Sequence, residues 1–209
     1  LIDNWISKLR FKESYEKFVE RFLYKRISAN QLTLIGLFIG LLAAITIFFS
    51  GIFADLHFFL ILISTTLMTI SFFIDTLDGP IARLEGPSIF GGILDIFCDR
   101  TVEVSIIIAI ISTDIINLVY PGLFLLASIV LCISLFLIIS GLSQQDQSDR
   151  KSKVFKYRKG LIERSETFLF LMAINLLFFM RFLLLWIFAI LVFITALLRL
   201  WDAYILFKK

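Results

Sequence analysis

The chain has 209 residues, 59% of them hydrophobic and 18% charged, with 24 Phe, 3 Pro and a net charge of +3; its mean hydropathy is +0.96. Soluble domains sit near 45–50% apolar and about 25% charged, and a chain of this size leaves roughly 30% of its unfolded surface exposed even when folded. These figures exclude an ordinary soluble domain, a disordered chain and a disulfide scaffold, and leave an all-α polytopic membrane protein.

Residues 1–28 are amphipathic. Trp5, Ile6, Leu9, Phe18, Phe22 and Leu23 alternate with Lys8, Arg10, Lys12, Lys17, Arg21, Lys25 and Arg26. Tyr15, Phe18, Val19 and Phe22 recur at helical spacing. An interfacial juxtamembrane helix with its cations on the wet side is expected here. The chain opens on Leu1 without a Met, so an upstream segment or domain is left open.

Six hydrophobic segments follow, over 32–53, 56–74, 90–111, 115–141, 167–180 and 182–204. Each is read as a transmembrane helix, although the fifth is shorter than the roughly 20 residues a span needs. No repeat or linker marks a second domain, so 1–209 reads as a single membrane domain. Cys98 and Cys132 lie inside apolar stretches without metal spacing and read as reduced, buried hydrophobes. His57 falls at the opposite end of the second segment from its acidic residues and reads as interfacial. With six spans, 19 of the 20 Lys and Arg fall on one side, the exception being Arg181. That partition places both termini and the polar chemistry in the cytoplasm, and the cytoplasmic membrane of a prokaryote is the expected location.

The chemistry concentrates in two stretches, Asp75-Thr76-Leu77-Asp78-Gly79-Pro80-Ile81-Ala82-Arg83 and Gly91-Gly92-Ile93-Leu94-Asp95-Ile96-Phe97-Cys98-Asp99. Asp75 and Asp78 are i, i+3 at the cytoplasmic end of the second span; Asp95 and Asp99 are i, i+4 at the start of the third. Each pair shares a helix face. The connecting loop is expected to bring the two helices side by side, so that the four carboxylates converge. They cannot all stay ionised there without counter-charge. Oxygen-only ligands favour Mg²⁺ or Mn²⁺, and two metals sharing carboxylates clamp a phosphoryl group for in-line displacement. Gly79 and Gly91 would let a diphosphate approach the backbone; Gly92 and Ala82 read as helix-packing positions. Pro80 fits a kinked end to the second span, and Arg83, one turn past Gly79, can bind a phosphate. Glu103 is expected to pair with Arg100. A divalent-cation or lipid transporter could use the same Asp cluster, but it would need acidic groups deeper in the membrane, and the first, fourth and fifth segments carry none. A non-catalytic scaffold would be marked by loss of Asp99, which is present.

Read as Asp75-xx-Asp78-Gly79-xx-Ala82-Arg83 followed by Gly91-xxx-Asp95-xxx-Asp99, the two stretches resemble the signature of the CDP-alcohol phosphatidyltransferase family at every fixed position. Asn30-Gln31-Leu32-Thr33 is similar to that family's Pro-Asn-x-x-Thr, with Ala29 in place of the proline. The resemblance implies phospholipid biosynthesis: attack of an alcohol hydroxyl on a CDP-linked lipid such as CDP-diacylglycerol, with release of CMP. It implies a two-metal Mg²⁺ or Mn²⁺ site on Asp75, Asp78, Asp95 and Asp99, with Asp99 also the catalytic base. Thr33, Asp78, Gly79, Ala82, Arg83 and Gly91 would contact the CDP part. Lys159-Gly160-Leu161-Ile162-Glu163-Arg164-Ser165-Glu166 resembles the acceptor segment of the family's inositol-phosphate and related prokaryotic members, and Thr167 stands where those often carry a second Arg. The acceptor is therefore expected to be a phosphorylated polyol, glycerol 3-phosphate or inositol phosphate, bound by Lys153, Lys159, Arg164 and Arg199. Arg199 is otherwise expected to pair with Asp202. The expected partners are the donor lipid, the small alcohol and membrane lipids, with no nucleic acid and a homodimer left open.

The charge partition is checked by a Ser152→Cys variant, which is expected to react with impermeant thiol reagents only from the cytoplasmic face. Labelling only from outside would overturn the orientation.

Overall fold

The computed structural model describes residues 26–86, 88–149 and 164–207. The expected N-terminal interfacial helix therefore falls almost entirely outside the described residues, as do Lys153 and Lys159. Six α-helices occur among those described: α1 Ala29–Ile52, α2 His57–Glu85, α3 Ile89–Thr113, α4 Ile115–Asp149, α5 Arg164–Leu176 and α6 Arg181–Phe207. Single 3₁₀ turns, Ala54–Leu56 and Phe178–Met180, precede α2 and α6.

Four stretches are long and apolar enough to cross a membrane: Ala29–Ile52, Ala54–Glu85, Ile115–Leu142 and Phe178–Ile205. The expectation of six spans is met on length and composition by these four. In α3, Asp95, Asp99, Arg100 and Glu103 break the apolar run, and α5 has only 13 residues. The second helix also runs on past its expected end, continuing through Pro80 to Glu85.

The helix ends follow local chemistry. Ser28 caps α1 in a reciprocal box with Gln31, the Gln31 amide donating to Ser28 Oγ at 3.3 Å and the Ser28 amide to Gln31 Oε1 at 3.0 Å. The Ala29 amide donates to Glu85 Oε2 at 3.1 Å, tying the start of α1 to the last residue of α2. Gly86 ends α2 at φ +95°, a conformation that favours glycine. Ser88 then caps α3, accepting from the Gly91 amide at 2.9 Å.

Helix contacts run α2–α1–α3–α4–α6–α5 and back to α2, closing a ring. Here the structure departs from expectation. Among the described residues α2 and α3 do not pack side by side; each packs on α1 and far less on the other. The reason lies in the small face of α1. A side chain at Gly36 would lie 3.7 Å from the Ser71 carbonyl of α2, and one at Gly40 would lie 2.6 Å from both methyls of Val102 on α3. Ser71 Oγ donates to the Gly36 carbonyl at 2.8 Å. In lipid, where apolar burial drives little association, such close backbone approach and interhelical hydrogen bonds hold helices together. The main core fills the bundle and reaches up to the acidic end: Ile47, Met68, Ile106, Ile110, Leu125, Leu171, Ile174, Leu185 and Phe188 are fully buried. A smaller cluster of Ala29, Leu32, Leu77 and Ile81, with Ala82 against it, underlies the acidic end.

The α1 contact predicts a mutational contrast. Gly40→Val must displace Val102 and is expected to lower the detergent-solubilised unfolding temperature, at a cost of about 1–3 kcal/mol. Gly141→Ala meets nothing within 4 Å and is expected to leave that temperature unchanged or raise it, since alanine is the better helix former by up to about 1 kcal/mol.

Candidate functional site

The end of α2 and the start of α3 overhang α1 from either side. Across that gap Asp75, Asp95 and Asp99 each place a carboxylate oxygen so that all three lie within 4.8 Å of one another. All three residues are half-buried. Asp78, expected in the same cluster, is not one of this trio. It is buried one turn further along α2, where Thr33 Oγ1 donates to its Oδ2 at 2.7 Å. Thr33 Oγ1 also lies 3.1 Å from the Ala29 carbonyl in the preceding turn. The start of α1 thus holds Asp78 directly, and through Ala29 and Glu85 it holds the end of the helix that carries it.

The glycines divide. A side chain at Gly79 would meet only the Arg83 guanidinium, 3.8 Å away, so the exposed Arg83 reaches back over open backbone. At Gly91 a side chain would lie 2.8 Å from Ser88 Oγ and 3.2 Å from Asn30 Oδ1. It is crowded first by the cap of its own helix and then by Asn30 of α1, independent of any ligand. Gly92, read from the sequence as a packing position, meets nothing within 4 Å. Ala82 does pack, against the small apolar cluster beneath the site.

Two cavities flank Asp99. One of ≈ 60 Å³ lies over α1, with Thr33, Gly36, Ser71, Asp75 and Asp99 in its walls. The other, of ≈ 240 Å³, opens between α3, α4 and α6. Its apolar walls include Ile129, Ile133, Phe136 and Val192, and its polar groups are Asp99, Arg100, Glu103, Thr167, Thr195 and Arg199. Arg100 and the buried Glu103 form the expected ion pair. Arg199 does not pair with Asp202, its neighbour one turn along α6. It reaches across to α4, where Nη1 donates to the Cys132 carbonyl at 2.8 Å and the guanidinium lies 5.1 Å from the centre of the Phe136 ring. Its buried Nε has no acceptor among the described residues.

Of the expected acceptor residues, Arg199 alone is placed beside Asp99. Arg164 opens α5, but its side chain, like Lys153 and Lys159, is outside the described residues. Thr167 and Thr195 were not anticipated as cavity residues. Thr195 precedes Arg199 by one turn, a spacing that shares a helix face and could have found it. Thr167 was marked only by its place in the acceptor-like segment, where it stands for a second Arg.

Three oxygen donors this close suit a hard divalent cation, and among the described residues no Cys or His joins them, which argues against zinc. The site therefore fits Mg²⁺ or Mn²⁺ on the chemistry of its donors.

Residues 26–198 match the sequence profile of the CDP-alcohol phosphatidyltransferases. An archaetidylinositol phosphate synthase from Pyrococcus horikoshii is 32% identical over 108 residues, which are 50% of this chain and 53% of that protein. The chain thus spans about half the length of the curated relative it matches. The fold is similar to that of a phosphatidylinositol phosphate synthase from Mycobacterium tuberculosis solved with CDP-DAG bound. The TM-score is 0.62 at 19% identity, over 91% of this chain and 93% of that one.

Proposed function

The chain belongs to the CDP-alcohol phosphatidyltransferase family, and from that premise we propose that it is a phospholipid-synthesising membrane transferase. It moves a substituted phosphate from a CDP-linked lipid to the hydroxyl of a phosphorylated polyol and releases CMP. The observation that carries this reading is the carboxylate trio of Asp75, Asp95 and Asp99, set beside a cavity that combines Asp99 with the guanidinium of Arg199.

Asp75, Asp95 and Asp99 would hold Mg²⁺ or Mn²⁺, with Asp78 close by on the same helix. When bound, such ions supply neutralisation of the donor diphosphate and of the charge that develops on transfer. Asp78, oriented by Thr33, and Arg83 over the open backbone of Gly79 hold the cytidine diphosphate. Asp99 faces the larger cavity and takes the proton of the acceptor hydroxyl as general base. Arg199, held by the Cys132 carbonyl and stacked on Phe136, retains donors for an acceptor phosphate; Lys153, Lys159 and Arg164 are proposed to add to it from the loop before α5. The apolar walls of that cavity limit water at the reacting atoms. All of these residues belong to a single membrane domain in which α3 and α5 complete six spans, and the charge partition supports a cytoplasm-facing site.

The test is CMP release by the purified protein from CDP-diacylglycerol, with glycerol 3-phosphate, inositol phosphate, free inositol or serine as acceptor. The phosphorylated polyols are expected to support release and the two unphosphorylated alcohols not to; equal rates with serine would overturn the acceptor assignment. In the same assay Asp99→Asn is expected to lower turnover by about two to four orders of magnitude, a loss far larger than its loss of donor binding, titrated separately at saturating metal. Asp78→Asn is expected to weaken donor binding. Equal loss of donor affinity in both variants would make Asp99 mainly a ligand rather than the base.

A further inference from the structure

At the end of the bundle opposite the carboxylates, the last turns of α1 and α3 meet the first turns of α2, α4 and α6 around a third cavity, of ≈ 660 Å³. Its size falls within the roughly 300–1,000 Å³ of ordinary ligand pockets. The residue that sets its character is Arg181, the first of α6, which is only 5% exposed. Arg181 Nη1 donates to Thr113 Oγ1 at 2.7 Å and Nη2 to Asn175 Oδ1 at 3.4 Å. Its buried Nε has no acceptor among the described residues. Asn175, fully buried, donates in turn to Ser64 Oγ at 2.9 Å and Thr65 Oγ1 at 3.0 Å. Four helices therefore position one guanidinium, and every oxygen it meets is neutral.

Arg181 forms no ion pair among the described residues. Asp114 shares the cavity wall but is engaged by its own helix start, accepting from the Asn117 side chain at 2.8 Å and from the Asn117 amide at 3.3 Å. A guanidinium stays protonated in a protein, and a buried charge with no directly paired carboxylate is costly; the Asp114 carboxylate is exposed and held by Asn117. The planar donor fork of arginine matches a phosphate. Exposed Phe179 and Phe182 in the same wall offer an apolar rim of the kind a lipid's chains would cover.

We propose that this cavity is a phosphate-binding site for a lipid headgroup of the leaflet remote from the Asp cluster, with Arg181 as its counter-charge. Free phosphate shares the recognition chemistry, so the experiment separates the two sources. CMP release is no part of the readout, and the outcome is independent of the transferase assignment.

The protein is purified in mild detergent as wild type, Arg181→Gln, Arg181→Lys and Ala54→Phe. Bound phospholipid is counted by native mass spectrometry. Thermal unfolding is followed with added phosphatidylglycerol or with inorganic phosphate alone. Wild type is expected to retain one phospholipid more than Arg181→Gln, Arg181→Lys to retain it at lower occupancy, and phosphatidylglycerol to raise the unfolding temperature of wild type but not of Arg181→Gln. Ala54→Phe narrows the cavity from its exposed wall and leaves the hydrogen bonds of Arg181 and of Asp114 in place. It is expected to show the same loss, which keeps the test decisive if Arg181→Gln fails to fold. Equal lipid retention, with stabilisation by inorganic phosphate that needs Arg181, would assign the site to the free anion and overturn the lipid assignment. Equal retention in all four proteins, with no Arg181-dependent response to either addition, would overturn the site altogether.

Discussion

The approach of α1 to two neighbours at once is the constraint on which the acidic end depends. Gly36 and Gly40 carry no side chain where α2 and α3 come closest, so both helices seat on α1 rather than on each other. Two directly packed helices would fill the space between their acidic faces with side chains. Seated apart on a common floor, they leave a gap into which Asp75, Asp95 and Asp99 all project, close enough for their oxygens to share a cation. Carboxylates this close repel unless one is protonated or a counter-charge is bound, which is the physical basis for proposing a divalent cation here.

The same helix fixes the fourth aspartate. Thr33 lies in the second turn of α1 and holds Asp78 by a buried hydrogen bond, while the capped start of α1 receives Glu85 from the end of α2. Loss of either contact would loosen the end of α2, which has already lost one backbone donor at Pro80. The far side of the site is built differently. Arg199 is anchored to a backbone carbonyl and an aromatic ring of α4, so its position depends on the packing of α6 against α4 and not on α1. The groups proposed for the donor and those proposed for the acceptor thus rest on separate helix pairs that meet at Asp99, which lines both cavities.

Much of this was legible in the sequence because helical spacing assigns residues to faces. The i, i+3 and i, i+4 spacings of the four aspartates put each pair on one side of its helix, and the apolar runs located all six helices to within a few residues except at the ends of α2 and α4, which run on into polar sequence. What spacing does not carry is the identity of the neighbour. Nothing in the sequence around Gly40 says that Val102 will sit on it, and nothing around Gly91 says that Asn30 will. The expectation that α2 and α3 lie side by side came from their short connection, and the small face of α1 overrode it. Arg199 was expected to take the nearest carboxylate along its own helix, but its long side chain crosses to α4 instead. Arg181 stood out in the sequence only as the lone cation on the wrong side; that it is buried among neutral oxygens follows from the meeting of four helices.

The central claim is that the carboxylates overhanging α1 form a divalent-cation site. It is tested most directly by titrating the purified protein with Mn²⁺ and following the bound ion by electron paramagnetic resonance, in wild type and in Asp75→Asn, Asp95→Asn and Asp99→Asn. The account predicts saturable Mn²⁺ binding in wild type, displaced by Mg²⁺ and weakened in each variant. Binding that is absent from the wild type, or unchanged in all three variants, would contradict it.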